Sequence, residues 1–286
     1  MMVLKKKIQN SLIDSEDFSN SHLSMLISLD EISYSVFDKD LIDVVILVSY
    51  EFDTRVKNPE ELLKNLKEVF DKEPILSAKF DSINVAHKNN LSAMVPDALY
   101  DSNSQEDYLK YTVKLLQNDT ITVDSISVMN SKNIFIPFKN VNNFLVNRLG
   151  EFDYLHASSV LVSTLLQNYK NNLEKQLFIN VSNSSIDVVY INEGDLQMFN
   201  TFLYYTKEDF LYYILFAMER LQLNPNEQKV TFIGNIDKGS ELYELAYTYI
   251  RYIDFSTPNN YTLSDEFFIE NPDVKKHHHF ELLNQF

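Results

Sequence analysis

The chain has 286 residues with a formal net charge of −16, and only four residues are glycine, whereas glycine usually makes up about 7% of a protein. P-loops and Rossmann loops need clustered glycines, and the closest pair here, Gly234 and Gly239, precedes no Gly-Lys-Ser/Thr, which excludes both motifs. The acidic charge argues against binding nucleic acid or an anionic membrane. The lack of cysteine, of a signal peptide and of a membrane-spanning stretch favours a cytoplasmic protein.

The first half of the chain is predicted to mix short strands with helices. Apolar runs with alternation or with many Val and Ile residues predict strands at 22–29, 32–37, 41–50, 80–86, 91–95, 125–129 and 134–138. Asn58 and Pro59 are typical of a helix start, and an apolar stripe carries that helix to Phe70. Ser104, with Asp107 three residues later, predicts a capped helix over about 105–117. Further helices are expected over about 140–149 and 157–172.

The second half repeats this order of elements. Strands are predicted at 176–181, 186–191 and 196–204, followed by a helix from Thr206 to about Leu223 with Asp209 at the capping-box position. A strand at 229–234, a helix over 238–250 and a short strand at 251–255 complete it. The pattern predicts four segments: a polar N-terminal tail (1–21), a first α/β half (22–155), a second half (156–256) and a C-terminal tail (257–286). Antiparallel strands beside alternating strands and helices predict mixed sheets in both halves.

The stretch FINVSNSSIDVVYINEG, residues 178–194, resembles the second phosphate loop of the actin-like ATPase superfamily, which includes sugar kinases and heat-shock chaperones. In that motif an Asp, two or three glycines and a Thr lie in a strand–turn–strand. Here Asn180 takes the Asp position, Ser182 and Ser184 take glycine positions, and Ile186 takes the Thr position.

Two other segments support the same resemblance. Residues 29–33 are similar to the first phosphate loop, with Asp30 present and Ile32 where glycine is expected. The stretch KVTFIGN is similar to the adenosine-motif strand, which ends in two glycines; here those two positions hold Gly234 and Asn235. The resemblance covers most of the chain and is nearest to divergent bacterial members used as assembly or scaffolding proteins, and to uncharacterised bacterial proteins of this fold with degenerate nucleotide motifs. It implies an α/β fold of duplicated actin-like (ribonuclease H-like) domains with mixed sheets and an interdomain cleft. It places the cofactor-binding positions at Asp30, Asn180, Ser182, Ser184, Gly234 and Asn235.

The residues at these positions argue against ATP chemistry. In this superfamily backbone N–H groups hold the phosphates, and a carboxylate orients a hydrated Mg²⁺. Ser182, Ser184 and Ile32 add side chains where glycine would let the backbone approach, and Asn180 lacks the carboxylate charge. We therefore expect no catalytic residue and no bound cofactor. The leading hypothesis is a non-catalytic interaction or scaffolding protein that binds a protein partner through its cleft or its Tyr/Phe-rich surface.

Two alternatives remain open. In a divergent ATP-binding protein or kinase, Asp30 would hold Mg²⁺ through water, Asn180 and Ser182 would contact phosphate, and Gly234 and Asn235 would border adenine. A filament-forming relative would need self-association, which the sequence does not address.

Other candidate sites have simple structural interpretations. His277, His278 and His279 favour a solvated terminal segment rather than a metal site, since consecutive residues rarely point at one ion. His156 is expected to be a capping or core histidine, Asp30 and Glu31 to be turn carboxylates, and no Ser–His–Asp pattern stands out. The N-terminal Lys5, Lys6 and Lys7 favour a disordered tail. A terminal apolar set could dock on the body of the chain or on a partner: Phe280, Leu282, Leu283 and Phe286. An aromatic run is expected to pack in the core: Phe199, Phe202, Tyr204, Tyr205, Phe210, Tyr212, Tyr213 and Phe216.

Overall fold

The structure is a computed structural model that describes residues 2–9, 17–52, 56–111, 113–117, 119–256 and 265–285. The chain divides into two compact units. Unit 1 comprises Met1–Ser163, Asn260–Phe267 and Glu281–Phe286, and unit 2 comprises Thr164–Asn259 and Phe268–Phe280. Within the described residues, no helix has the length and apolar character needed to cross a bilayer.

Unit 1 is built on a six-stranded mixed sheet with the order β1-β4-β3-β2-β5-β9. The first four strands in this order, β1, β4, β3 and β2, pair antiparallel with their neighbours, whereas β2, β5 and β9 run parallel. A three-stranded antiparallel sheet, β6-β8-β7, is also part of this unit. The strands are β1 (Met2–Gln9), β2 (Ser21–Ser28), β3 (Glu31–Asp38), β4 (Asp43–Phe52), β5 (Ser82–Lys88), β6 (Ser92–Pro96), β7 (Thr122–Ile126), β8 (Ser131–Phe135) and β9 (Asp153–His156).

Unit 2 contains a five-stranded mixed sheet with the order β12-β11-β10-β13-β14. Its strands are β10 (Gln176–Val181), β11 (Ser185–Asn192), β12 (Asp195–Leu203), β13 (Lys229–Gly234) and β14 (Tyr252–Phe255). β12, β11 and β10 pair antiparallel, β13 pairs parallel with β10, and β14 pairs parallel with β13. Each strand of this sheet corresponds in position and in pairing direction to one strand of the series β4-β3-β2-β5-β9 in unit 1. The repeat predicted from element order is therefore present in the pairing of both sheets.

Eight α-helices accompany the sheets in the described part of the chain. They are α1 (Pro59–Lys72), α2 (Gln105–Leu109), α3 (Lys139–Leu149), α4 (Ala157–Tyr169), α5 (Lys207–Arg220), α6 (Glu241–Tyr249), α7 (Asp265–Glu270) and α8 (Phe280–Leu283). Two expected caps are observed: the Asn58 side chain accepts from the Glu61 N–H, and Thr206 and Asp209 form a reciprocal capping box. Such caps satisfy N–H groups that a helix start leaves without partners.

Each large sheet buries its apolar residues in its own core. In unit 1, Leu62, Leu66 and Val69 of α1 pack with the β2–β4 side chains, and in unit 2, Phe210 and Ile214 of α5 pack with β10, β11 and β13. Burial of such side chains contributes about 1.5–3 kcal/mol each.

Several predicted elements differ from the structure. Residues 2–9 form the edge strand β1 instead of a disordered tail, because their backbone pairs with β4 from Met2 opposite Phe52 onward. The helix predicted over 105–117 stops at Leu109, and Ser104 does not cap it, since its hydroxyl donates to Asp101 instead. Strands β7 and β8 each begin three residues before their predicted positions, and β9 lies where no element was expected.

Candidate functional site

Five of the six residues singled out by sequence lie together in unit 2. Strands β10 and β13 are neighbours and parallel, with Val181 opposite Gly234, so their carboxyl ends meet at the same edge of the sheet. We call Asn180, Ser182, Ser184, Gly234 and Asn235 the strand-end cluster. In open α/β sheets this edge is where ligands usually bind.

Main-chain N–H groups of the strand-end cluster are bonded within the chain. Gly234 N donates to the His277 carbonyl at 2.8 Å, Asn235 N to the Val181 carbonyl at 2.7 Å, and Ser182 N to the Ser185 carbonyl at 2.9 Å. The Asn235 amide also donates to the Asn183 side chain at 2.5 Å. These three N–H groups therefore do not point at an open binding site.

Gly234 fits a position that excludes any side chain. Its φ is +81°, and a Cβ built there would lie 2.3 Å from the Val181 carbonyl oxygen and 2.8 Å from Asn180 Oδ1. The backbone of β13 thus lies against the end of β10, which explains why only glycine fits at this position.

A carboxylate missed by the sequence analysis lies beside Asn180. Asp187 on β11 is paired opposite Asn180, and its two oxygens accept from Asn180 Nδ2 at 3.0 Å and from Thr201 Oγ1 at 2.7 Å. This contact depends on the register of β10 and β11, which the tight turn between them sets. The strand pairing in the structure therefore reveals it, whereas the sequence does not. Among the described residues, the buried Asn180 Oδ1 has no hydrogen-bond partner.

The sixth residue, Asp30, lies in unit 1 at the turn between β2 and β3. There the Ser28 hydroxyl accepts from the N–H groups of Asp30 and Glu31, as expected for a turn. Loss of solvent raises the pKa of Glu31 to about 7, and nearby Lys88 opposes that rise. Lys88 in turn forms an ion pair with Glu281 at 2.6 Å. The assignment of Asp30 to a cofactor stays a prediction.

The histidine triplet is not a solvated segment, contrary to expectation. His277 is buried, its Nε2 donates to the Ile236 carbonyl at 2.7 Å, and its ring lies 4.3 Å from that of Phe255. Burial lowers its pKa, against the effects of the Ile236 hydrogen bond and Asp237. The sequence contains no local signal for this contact, because Ile236 and His277 are far apart along the chain.

The apolar residues beyond the triplet pack into the fold. Phe280 is buried in unit 2, and Leu282 and Leu283 are buried in unit 1. Of the two alternatives for this segment, docking on the body of the chain is the one observed. Phe286 lies outside the described residues.

His156 is a capping and core histidine, as expected. It ends β9, it is buried, and its Nδ1 accepts from Ser158 N at 3.1 Å at the start of α4. Burial lowers its pKa to about 3. The nearby Asp124 carboxylate accepts from the His156 main chain and from the Ser159 hydroxyl, not from the imidazole. These groups therefore lack the arrangement of a Ser–His–Asp relay.

The aromatic run of unit 2 is only partly in the core. Tyr204 and Phe210 are buried, whereas Tyr205 and Tyr212 are 85% and 60% exposed. Rings of Phe202 and Tyr213 stack at 4.8 Å, and Tyr212 lies 5.9 Å from Phe216. We call Phe202, Tyr212, Tyr213 and Phe216 the aromatic face.

Comparison with known proteins gives a family and a fold. A family model described as "Protein of unknown function (DUF3822)" matches residues 10–253. A Bacteroides thetaiotaomicron VPI-5482 protein, described as having an actin-like ATPase fold and unknown function, is 22% identical, with 86% of this chain and 94% of that chain covered and a TM-score of 0.76. A PilM-PilN type IV pilus biogenesis complex gives 10% identity, 95% and 98% coverage and a TM-score of 0.64. A search of curated proteins found no match.

These similarities confirm the fold inferred from the three sequence motifs. The chain has an actin-like ATPase fold with mixed sheets and helices. At identities of 22% and below, they extend to the fold and no further. A shared fold does not determine a shared activity.

Proposed function

We propose that this chain, which belongs to the DUF3822 family, is a non-catalytic actin-like protein that binds a protein partner. The observation that carries the proposal is the hydrogen bonding at the strand-end cluster. Proteins that bind phosphate at such turns present free backbone N–H groups to it. Here the N–H of Gly234 is bonded to the chain's own His277 carbonyl, and that of Asn235 to Val181.

The side chains of the cluster support the same proposal. Asn180 brings no charge, and its amide is held by Asp187. A nucleotide entering at β13 would have to displace the segment that carries His277, together with its hydrogen bonds to Gly234 and Ile236. That displacement would cost binding energy without supplying any group that stabilises a transition state.

The aromatic face is the surface we assign to the partner. It combines stacked rings on β12 and α5 with the exposed Tyr212, and tyrosine is enriched at protein interfaces because it offers large contact area and one hydroxyl. PilM, a protein of the same fold, occurs in a complex with PilN. A protein-binding role is thus compatible with this fold, in the reducing cytoplasmic setting that the lack of cysteine favours.

One observation favours the alternative of a divergent ATP-binding protein. Asn180 turns its Nδ2 to the Asp187 carboxylate, and among the described residues its buried Oδ1 has no hydrogen-bond partner. Carboxylate and amide oxygens are ligands that Mg²⁺ prefers. A nucleotide test therefore discriminates between the two functions.

Millimolar Mg-ATP should leave the melting temperature of the protein unchanged. A ligand that binds the native state at 100 times its Kd stabilises it by about 2.7 kcal/mol, which shifts melting by several degrees. Differential scanning fluorimetry of the protein with and without Mg-ATP checks this.

The same experiment can overturn the non-catalytic assignment. A rise of several degrees that is lost in Asp187→Asn or Asp30→Asn would establish a magnesium-dependent nucleotide site. Both substitutions keep the size of the side chain while removing the charge that would hold the ion.

Removing the ring of Tyr212 should weaken partner capture about tenfold, which corresponds to about 1.4 kcal/mol. The protein, immobilised and incubated with lysate of its source organism, should enrich a set of proteins that Tyr212→Ala does not. Quantitative mass spectrometry of the retained proteins measures the ratio.

Tyr111→Ala is the matched control, because Tyr111 is an 85% exposed tyrosine of unit 1, outside the aromatic face. It should retain the full set. Equal retention by Tyr212→Ala and by the unchanged chain would remove the aromatic face from the proposal.

A further inference from the structure

The C-terminal histidines meet an aspartate from the loop after β13. His278 Nε2 lies 3.1 Å from Asp237 Oδ1, and His277 Nε2 lies 3.7 Å from the same oxygen. The three potential ligand atoms are all within 4.8 Å of one another. All three residues belong to unit 2.

The geometry points to a site for a divalent transition metal ion, of the Zn²⁺ type, held by Asp237, His277 and His278. Zinc binds imidazole nitrogen at about 2.0–2.1 Å and carboxylate oxygen at about 2.0–2.2 Å. Two such ligands at a tetrahedral angle are about 3.4 Å apart. The separations of 3.1 and 3.7 Å lie on either side of that value. Two nitrogens and one oxygen are a donor set that suits zinc more than magnesium or calcium.

Two of the three ligands are held in place before any ion binds. The His277 carbonyl accepts from Gly234 N at 2.8 Å, and its ring lies against Phe255. Asp237 belongs to a turn in which its carbonyl accepts from Ser240 N at 3.0 Å. Fixed ligands reduce the entropy that binding must overcome.

The exposure of Asp237 and the surroundings leave a route for the ion. The Asp237 side chain is 51% exposed, so a hydrated ion can reach it from solvent. The Lys275 ammonium is engaged by the Pro272 carbonyl at 2.8 Å. Three protein ligands leave a fourth position to water, as in open zinc sites.

Coordination requires a proton shift at both histidines. His277 Nε2 now donates to the Ile236 carbonyl and His278 Nε2 to the Asp237 carboxylate, and both oxygens can only accept, so each proton would move to Nδ1 as the metal takes the Nε2 lone pair. The lost hydrogen bonds lower the affinity but do not remove any ligand. An ion bound here would fasten the histidine segment to the loop of Gly234 and Asp237, independently of the function proposed above.

The test uses the full chain, freed of metal with EDTA, and compares four proteins. Zinc binding by calorimetry and the visible absorption of Co²⁺ are measured for the unchanged chain, Asp237→Asn, His278→Ala and His279→Asn. His279 is the matched control: it belongs to the same triplet but not to the cluster, and asparagine tolerates its φ of +53°.

We expect one strong site in the unchanged chain and in His279→Asn, with the intense Co²⁺ absorption of a four-coordinate site. Asp237→Asn and His278→Ala should bind at least about 10–100-fold more weakly, since even losing an outer partner of a ligand has that effect. Melting in EDTA shows whether each variant folds, and Asp237→Asn, at an exposed position, retains the fold. Equal binding by all four proteins, or no binding by the unchanged chain, overturns the site.

Discussion

Glu73→Ala is expected to lower the free energy of unfolding by about 2–6 kcal/mol, because two buried tyrosine hydroxyls lose their acceptor at about 1–3 kcal/mol each. Glu73 is the C-cap residue of α1 in unit 1, and its side chain is 3% exposed. Its carboxylate accepts from the hydroxyl of Tyr34 at 2.9 Å, that of Tyr50 at 2.6 Å and the ammonium of Lys7 at 2.7 Å. Alanine would leave two buried hydroxyls and a cavity.

The network also predicts a pH dependence. Burial by itself would raise the pKa of Glu73, but the hydrogen bonds from Lys7, Tyr50 and Tyr34 outweigh it and hold the pKa below its usual value. A lowered pKa in the folded state contributes stability above about pH 4.3, and this contribution is lost as the pH falls through the folded pKa. The difference between Glu73→Ala and the unchanged chain should therefore shrink in acid.

Urea denaturation at pH 7 and at stepwise lower pH measures both effects. Glu68→Ala is the matched control, since Glu68 lies on the same helix, is 46% exposed, and is 4.0 Å from Lys72 in a surface pair worth about 0.3–0.5 kcal/mol. A loss in Glu73→Ala no larger than in Glu68→Ala would show that the buried network contributes little.

Where local signals are strong, the sequence predicts the fold well. Asn58 caps α1 and Thr206 caps α5, because a side chain and an N–H group three residues later are enough to form such a cap. Strands β10 and β13 have their predicted bounds because both are apolar runs closed by turns. The duplicated order followed from these elements.

What could not be predicted depends on partners distant in sequence. β1 carries three lysines and forms because β4 offers an open edge, and β9 is short and largely polar. At the candidate site, the Asn180–Asp187 pair depends on strand register, and the contact of His277 with Gly234 joins the tail to β13. Neither contact leaves a pattern in nearby residues. For that reason the sequence favours a solvated segment for the histidine triplet, whereas the structure buries His277.

Gly234→Ala is expected to destabilise the protein by about 2–5 kcal/mol. The left-handed backbone conformation costs a residue with a Cβ about 1–2 kcal/mol, and overpacking adds about 1–3 kcal/mol. The clash arises because the new Cβ would lie 2.3 Å from the Val181 carbonyl oxygen, a main-chain atom between two paired strands. Relief requires the ends of β10 and β13 to separate, which would also strain the bonds of Gly234 and Asn235 to His277 and Val181.

Gly239→Ala separates the two contributions. Gly239 has a φ of +87°, close to the +81° of Gly234, but a Cβ there would meet no atom within 4 Å. It should therefore cost only the conformational 1–2 kcal/mol, approximately, and urea denaturation should place it clearly above Gly234→Ala in stability. Equal losses would mean that the backbone of β13 does not lie this close to β10. In that case the strand-end cluster would have room for a phosphate, and the argument for a non-catalytic protein would lose its main support.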